Sequence, residues 1–445
     1  MLKRKFDEFL INWKNKAEKN PLIVTGARQV GKTTSIEEFG KTYKSFIEIN
    51  FVSSPKFKRI LESGYEVNDI IANISLLEPS FHFVPGETLI FFDEVQSFPD
   101  IATSLKFFSL DGRFDVICSG SMLGVSYQRM ASIPVGYKDE YVMRSLDFEE
   151  FLWAKGYDEK LSDLLLEHML RGQALPPILF DRLSSLYKEY LFVGGMPEAV
   201  ALFVQEGTFE KAFAVQARLK KDYEDDITKY VEGLSGAKVK NFYRHICPQL
   251  CKDNHKFQIS KLGHGARNRD YLGVEDWLKD AGLVLVANNL SSLDLPLSSY
   301  EDPDYFRVYF ADHSLFIAFL DDEAKEDLRV NNHYEIYHGA LYESLIGEEL
   351  SKQGYPLYFY KTTDATVELD FVIRIKNEII PIEVKRNKGR TKSLNAVIAD
   401  ESIGVRHGIK LTQGNIGEAD GTIAFPYFLA YLLKRFAEKS DIFSW

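Results

Sequence analysis

The stretch Leu22-Ile23-Val24-Thr25-Gly26-Ala27-Arg28-Gln29-Val30-Gly31-Lys32-Thr33 constrains this chain more than any other. A short apolar, β-branched run delivers the backbone into a glycine-bounded loop, and a helix-compatible segment starts at Lys32. This strand–loop–helix arrangement matches the GxxxxGKT pattern, whose physical content is anion binding. Backbone N–H groups must approach phosphate oxygens closely, so Gly26 and Gly31 bend where a side chain would obstruct. The helix N-terminus adds the positive end of its dipole where negative charge collects. Residues Gly26, Ala27, Arg28, Gln29, Val30, Gly31, Lys32, Thr33 and Thr34 are therefore expected to cradle a triphosphate. Lys32 would bridge its outer phosphates and Thr33 would ligate Mg²⁺.

A second segment completes that chemistry. Leu89-Ile90-Phe91-Phe92 runs directly into Asp93-Glu94, an apolar strand ending in two acids about sixty residues downstream. Asp93 is expected beside the Mg²⁺ water shell, and Glu94 is expected to polarise the attacking water as general base. A further strand, FDVICSGS, ends in Ser119 and Ser121; either can sense the γ-phosphate, and either can instead cap the next helix. Apolar runs alternating with helical spacing, as at Val67, Ile70, Ile71 and Ile74, predict a three-layer α/β fold around a mostly parallel sheet. Ligands then bind at the carboxyl ends of its strands.

The chain has 445 residues, too many for one small core, and three modules are expected: 1–150, 151–300 and 301–445. The net charge of −11 argues against a surface that coats nucleic acid indiscriminately, yet leaves room for a local basic groove. The longest apolar stretch, Ala424–Leu433, is about half of what a membrane helix needs, so no membrane partner is expected. The N-terminus mixes acids and bases without an apolar h-region and does not read as a signal peptide. Three cysteines, Cys118, Cys247 and Cys251, cannot build a disulfide framework, which fits a cytoplasmic location. The spacing of Cys247 and Cys251 lacks the second pair that a zinc site requires.

From Leu152 to Lys240 the spacing is helical, with Leu161, Leu164, Leu165 and Met169 on one face and Gly194-Gly195-Met196-Pro197 as an interruption. The segment from Asn241 to Ala287 suits a winged-helix module. It carries a basic stretch with Arg267 and Arg269 that could face a phosphate backbone, among the acids Asp270, Glu275 and Asp276. Near the C-terminus, Glu368–Ile373 and Ile379–Lys385 flank a turn at Lys376-Asn377 and predict a β-hairpin. Alternation puts Glu383 and Lys385 on one face, with Asp370 close by on the partner strand. An aspartate followed by Glu-x-Lys on adjacent strands is the PD-(D/E)xK nuclease pattern, in which carboxylates hold Mg²⁺ and the lysine orients water. Glu343, on the preceding helix, is a further candidate ligand. Arg386, Lys388, Arg390 and Lys392 follow as a cation run that can track a nucleic-acid backbone or simply be a solvated face.

The ordered segments TGARQVGKTT, LIFFDEVQ, SGSML and LDFEEFL resemble the AAA+ ATPase domain of prokaryotic ATPases that carry a C-terminal DUF4143 region. Later segments agree: GGMPEAV, VYFADHSL, GALYESLIGEEL, and ELDFVI before IIPIEVKRN. The resemblance implies an ATP- and Mg²⁺-binding protein of the AAA+/STAND type. Its architecture would be a P-loop core, a helical lid with a winged-helix-like segment, and a restriction-endonuclease-like α/β tail. It implies a base-packing role for Pro197 in the lid, a homo-oligomeric assembly, and DNA or a protein as partner. An arginine finger is expected shortly after the sensor strand, but Pro134-Val135-Gly136-Tyr137 stands there, leaving Arg129 and Arg144 as the nearest candidates. Three function classes follow: an ATPase regulating its tail, an ATP-controlled DNA endonuclease, and a nucleotide-gated interaction scaffold that does not cut.

Overall fold

The computed structural model describes residues 1–121, 136–231, 233–252, 255–331, 338–385, 391–419 and 421–440. The chain divides into two compact units, Met1–Ser145 with Asp280–Gly282, and Leu146–Lys279 with Leu283–Trp445. Arg129, Pro134, Val135, Arg386, Lys388 and Arg390 lie outside the described residues.

The first unit is built on a five-stranded sheet: β1 (Leu22–Thr25), β2 (Ser45–Asn50), β3 (Thr88–Asp93), β4 (Asp115–Ser119) and β5 (Asp139–Val142). Its order is β2-β3-β4-β1-β5, and every neighbouring pair is parallel. All six residues of β3 are buried, as an unbroken apolar run must be when helices cover both faces of its sheet. The edge strand β5, DEYV, escaped sequence reading because only its pairing with β1, not hydrophobicity, makes it a strand. Helices Lys32–Gly40, Val67–Leu77 and Ile101–Asp111 form the flanking layers. Ile70, Ile74, Ile90, Phe92, Leu105 and Phe108 share one core. The expected three-layer parallel α/β fold is thus present, and β1, β3 and β4 present their carboxyl ends together.

The second unit combines helices with a mixed eight-stranded sheet. Its strands are β6 (Val284–Leu290), β7 (Glu301–Phe310), β8 (Tyr358–Lys361), β9 (Glu368–Ile375), β10 (Glu378–Lys385), β11 (Gly408–Thr412), β12 (Gly417–Ala419) and β13 (Thr422–Pro426). They run in the order β12-β13-β11-β10-β9-β8-β6-β7. The expected boundary at 300/301 falls inside the β6–β7 pair, where Leu290 faces Glu301, so both sides of it belong to one sheet. The expected winged helix is altered for the same reason. β6 pairs with β8 along its other edge instead of forming a free two-stranded wing. Arg267 and Arg269 are exposed on a single 3₁₀ turn, Asn268–Asp270 and its N-cap, not on a recognition helix.

Helix Phe148–Ala154 begins with a capping box between Asp147 and Glu150, a sequence-local signal. Helix Pro177–Val193 ends where Gly194 turns to φ 74°, and a Cβ there would meet the Ser314 side chain at 2.2 Å. Gly195 donates its N–H to Asp312, and the buried His313 bridges Glu348 at 2.8 Å and the Tyr190 carbonyl at 2.9 Å. The segments GGMPEAV, VYFADHSL and GALYESLIGEEL therefore converge in one buried polar node. Lys352 joins it, donating to the Leu146 carbonyl at 2.7 Å.

Candidate functional site

Three strand ends and one loop build the first site. Gly26 leaves β1 at φ 139°, and a Cβ there would lie 2.1 Å from the Met143 carbonyl oxygen, so only glycine fits. Gln29 and Gly31 are also left-handed, at φ 64° and 99°. Such backbone turns N–H groups inward on a concave loop, the geometry of an anion nest. Lys32, first residue of the following helix, is buried, and its ammonium donates to the Gly26 and Ala27 carbonyls at 2.9 and 2.8 Å. Burial pushes its pKa down to about 8; Glu94 and Asp93 oppose that fall and Arg28 adds to it.

Asp93 closes the other wall. One of its carboxylate oxygens accepts from the Thr33 hydroxyl at 3.3 Å and from Asn50 Nδ2 at 3.0 Å. The other accepts from the buried Ser119 hydroxyl at 2.5 Å. Ser119 thereby belongs to the Asp93 network, while Ser121 is half-buried at the edge of the described segment. Glu94 adopts φ 54°, a costly left-handed conformation for a residue with a side chain, and its carboxylate accepts from Gln96. Such a conformation persists only where the surrounding structure over-determines it.

Two contributors were not legible in the sequence. Arg4 is buried and donates to the Val30 carbonyl at 2.8 Å and the Arg144 carbonyl at 2.7 Å, bracing the loop from outside. Nothing local marks it within MLKRKF. Asn50 ends β2 in register with Asp93; a polar residue closing an apolar strand was the available signal.

The residues fit a metal-bound triphosphate. A buried ammonium rests on loop carbonyls that phosphate oxygens can replace, and a hydroxyl and a carboxylate stand together where a hard cation takes oxygen ligands. Pro197 opens the helix Pro197–Glu206 of the second unit, where its missing N–H and fixed φ favour a helix start.

The second candidate site lies at the β9–β10 hairpin. Lys376, at φ 53°, turns the chain as expected, and Phe371 faces Ile382. Asp370 accepts from the Val384 N–H at 2.8 Å and lies 3.7 Å from the Lys385 ammonium. Glu383 is buried, and its Oε2 has no hydrogen-bond partner among the described residues. Burial pushes that carboxyl up to about 7, Asp370 adds to the rise, and Lys385 opposes it. Burial likewise raises Asp370.

Glu343 stands differently. Arg307 donates to its Oε1 at 2.8 Å, Tyr309 donates to the same oxygen, and His255 Nδ1 contacts its Oε2 at 2.5 Å. Although burial alone would raise it, the Arg307 and His255 charges hold the carboxyl down to about 2. Both oxygens are engaged: Oε1 supplies the counter-charge that the fully buried Arg307 requires, and Oε2 is held by His255. The expected set Glu343, Asp370 and Glu383 therefore does not fit a shared metal ion. Among the described residues no three His, Cys, Asp or Glu are grouped to hold one. Lys392 opens the helix Lys392–Ala399. No described helix is long and apolar enough to cross a membrane.

Comparison with known proteins places an AAA domain at residues 18–152. Domains of unknown function match residues 184–326 (DUF8612) and 338–428 (DUF4143). Among solved structures the chain is similar to a Walker-type ATPase of Pyrococcus abyssi, at 12% identity over 72% of this chain and 96% of that one, with a TM-score of 0.44. It is also similar to PCH-2 of C. elegans, at 16% identity over 45% and 60%, TM-score 0.25. A third likeness is to the Hsp104–ADP complex of S. cerevisiae, at 14% identity over 79% and 43%, TM-score 0.25. No curated protein matches the chain. Residues 18–152 thus match the AAA domain family and residues 338–428 match the DUF4143 family.

Proposed function

We propose that this protein binds Mg²⁺-ATP at the loop Gly26–Thr34 and hydrolyses it, using the nucleotide cycle to regulate its C-terminal module. The observation that carries this reading is the buried Lys32 ammonium, held on the Gly26 and Ala27 carbonyls beside the Thr33–Asp93 pair. Phosphate oxygens take the place of those carbonyls as acceptors, and the loop amides add their dipoles. Thr33 and Asp93 would hold the metal, which when bound neutralises charge on the transferring phosphoryl group. Asn50 and Ser119 fix the Asp93 carboxylate so that it does not reorient as charge develops. Glu94, held by Gln96, accepts a proton from the attacking water. Arg144, supplied by a neighbouring copy, is the candidate for stabilising charge in trans; Arg129 is the other.

An ATP-turnover assay tests this reading, comparing wild type with Lys32→Ala and Glu94→Gln. Nucleotide affinity left unchanged by Lys32→Ala removes the central claim.

The C-terminal module has two readings, each favoured by one observation. The juxtaposition of Asp370, Lys385 and the unpartnered Glu383 oxygen supports nucleic-acid chemistry at the hairpin. The saturated Glu343 supports a scaffold that binds DNA or a protein without cutting. Metal-dependent nicking of plasmid DNA, lost in Lys385→Ala and kept in Lys32→Ala, selects the endonuclease; binding without cleavage selects the scaffold.

A further inference from the structure

Two of the three cysteines meet at the end of one short helix. Cys247 lies in the helix Ile246–Leu250, which is capped by Cys251, and the Cys251 N–H donates to the Cys247 carbonyl at 3.1 Å. That is the i to i+4 bond of an α-helix, so the two side chains share one face, one above the other. Cα atoms so placed are about 6 Å apart, inside the roughly 4.4–6.8 Å that a disulfide spans. The side chains meet as well, because the Cys247 thiol hydrogen-bonds the Cys251 sulfur.

The two sulfurs are not equivalent. Cys247 is buried and Cys251 is half-buried. Donation from Cys247 draws the Cys251 pKa below the ordinary thiol value; burial opposes the fall and His255 adds to it. Cys247 moves up, because its proton is held on Cys251 and burial disfavours its charge. His255 stands four residues beyond Cys251, with Nδ1 2.5 Å from Glu343 Oε2, and the Glu343 charge raises its pKa. The negative end of a helix dipole disfavours a thiolate at Cys251, but a helix of 5 residues carries little of it. An accessible sulfur of thiolate character beside a protonated thiol is the arrangement of a reactive and a resolving cysteine. Cys118 is the contrast: it is buried in β4, and burial alone pushes its pKa up.

We propose that Cys251 and Cys247 form a hydroperoxide-reactive pair that closes reversibly into a disulfide. The Cys251 thiolate attacks the terminal oxygen of the hydroperoxide and the O–O bond breaks. Cys251 becomes a sulfenic acid, and the departing alkoxide or hydroxide takes up the proton that the thiol had shed. The Cys247 sulfur then attacks the Cys251 sulfur; the S–S bond forms, the S–O bond breaks, and water leaves with the Cys247 proton. The pair loses two electrons and the peroxide gains them. A dithiol reductant reopens the bridge by thiol–disulfide exchange. Closure removes the thiolate beside His255, leaving the Glu343 and Asp370 carboxylates to balance its charge. The site depends on neither the ATPase nor the nuclease reading.

The test is mass spectrometry of the reduced full-length protein after exposure to hydrogen peroxide, quenched with N-ethylmaleimide in denaturant. Trypsin cuts after Arg244 and Lys252, so both cysteines fall in one peptide, His245–Lys252. That peptide is expected unalkylated and two hydrogens lighter than its reduced form, and alkylatable again after dithiothreitol. It should oxidise roughly tenfold or more faster than Cys118, because thiolate fraction and access set the rate. Cys247→Ser should halt at the Cys251 sulfenic acid, trapped by dimedone, and Cys251→Ser should leave Cys247 alkylatable. The wild-type measurement stands whether or not either variant folds. Three results overturn the proposal: a pair that stays alkylatable under peroxide that oxidises free glutathione, a disulfide joining two copies instead of closing within the peptide, and dimedone trapped on Cys247 in Cys251→Ser.

Discussion

The Thr33 hydroxyl lies 3.3 Å from an Asp93 carboxylate oxygen, although the two residues stand sixty positions apart. The parallel sheet makes this contact. β3 ends at the same level as β1, so the acid that closes one strand meets the first turn of the helix that follows the other. Asn50, one strand further out, completes the grip on Asp93.

Lys32→Ala should weaken ATP binding by roughly 10- to 150-fold, the loss of about 1.5–3 kcal/mol from charge-assisted hydrogen bonds. Calorimetric titration measures it. The domain should stay folded, because no strand or core residue changes.

The ammonium of Lys32 titrates near pH 8, well below the usual lysine value. Only the charged form attracts phosphate. ATP affinity should therefore fall as pH rises through about 8 and hold steady between 6 and 7. A flat affinity between pH 7 and 9 contradicts this; Lys32→Ala should flatten the profile.

Glu94→Gln should keep nucleotide binding and lower turnover about 10²–10⁴-fold, the usual contribution of a general base. Separate measurements of Kd and kcat distinguish this from a folding defect. Equal losses in both would count against the assigned role.

Gly26→Ala should disrupt the loop. The new Cβ lies 2.1 Å from backbone oxygen at φ 139°, so the loop must move. A destabilisation of roughly 1–3 kcal/mol by denaturant titration is expected, together with loss of nucleotide binding.

Glu343→Gln and Glu383→Gln should act in opposite directions. Removing the Glu343 charge leaves buried Arg307 without its main counter-ion and should cost about 3–5 kcal/mol. Glu383→Gln should be neutral or stabilising near pH 7, because a buried carboxylate oxygen without a partner disfavours ionisation. The pH dependences differ accordingly. The folded Glu343 value of about 2 lies below the ordinary 4.5, so its stabilisation is present above pH 4.5 and lost as pH falls toward 2. The folded Glu383 value of about 7 lies above 4.5, so its contribution is present below pH 4.5 and lost as pH rises to 7. Thermal melts of each variant between pH 3 and 8 separate the two.

Sequence alone determined what short-range physics dictates. Glycine punctuation and the lysine–threonine pair made the phosphate loop legible, because its conformation depends on consecutive residues. The unbroken run of β3 announced a central strand. Alternation at Ile379–Lys385 put Glu383 and Lys385 together because a strand repeats every two residues.

Tertiary structure decided whatever depended on partners distant in the chain. Arg4 became a brace for Val30 only because the N-terminal helix packs beside the loop. DEYV became β5 only by pairing with β1. Glu343 was spent on Arg307, since a guanidinium buried by one sheet edge requires a charge from a helix far along the chain. The expected division at 300/301 gave way to one sheet, because β6 found an edge on β8. Local sequence carries dihedral preference and periodicity; which charge neutralises which, and which strand edge remains open, is settled only when the whole chain has closed.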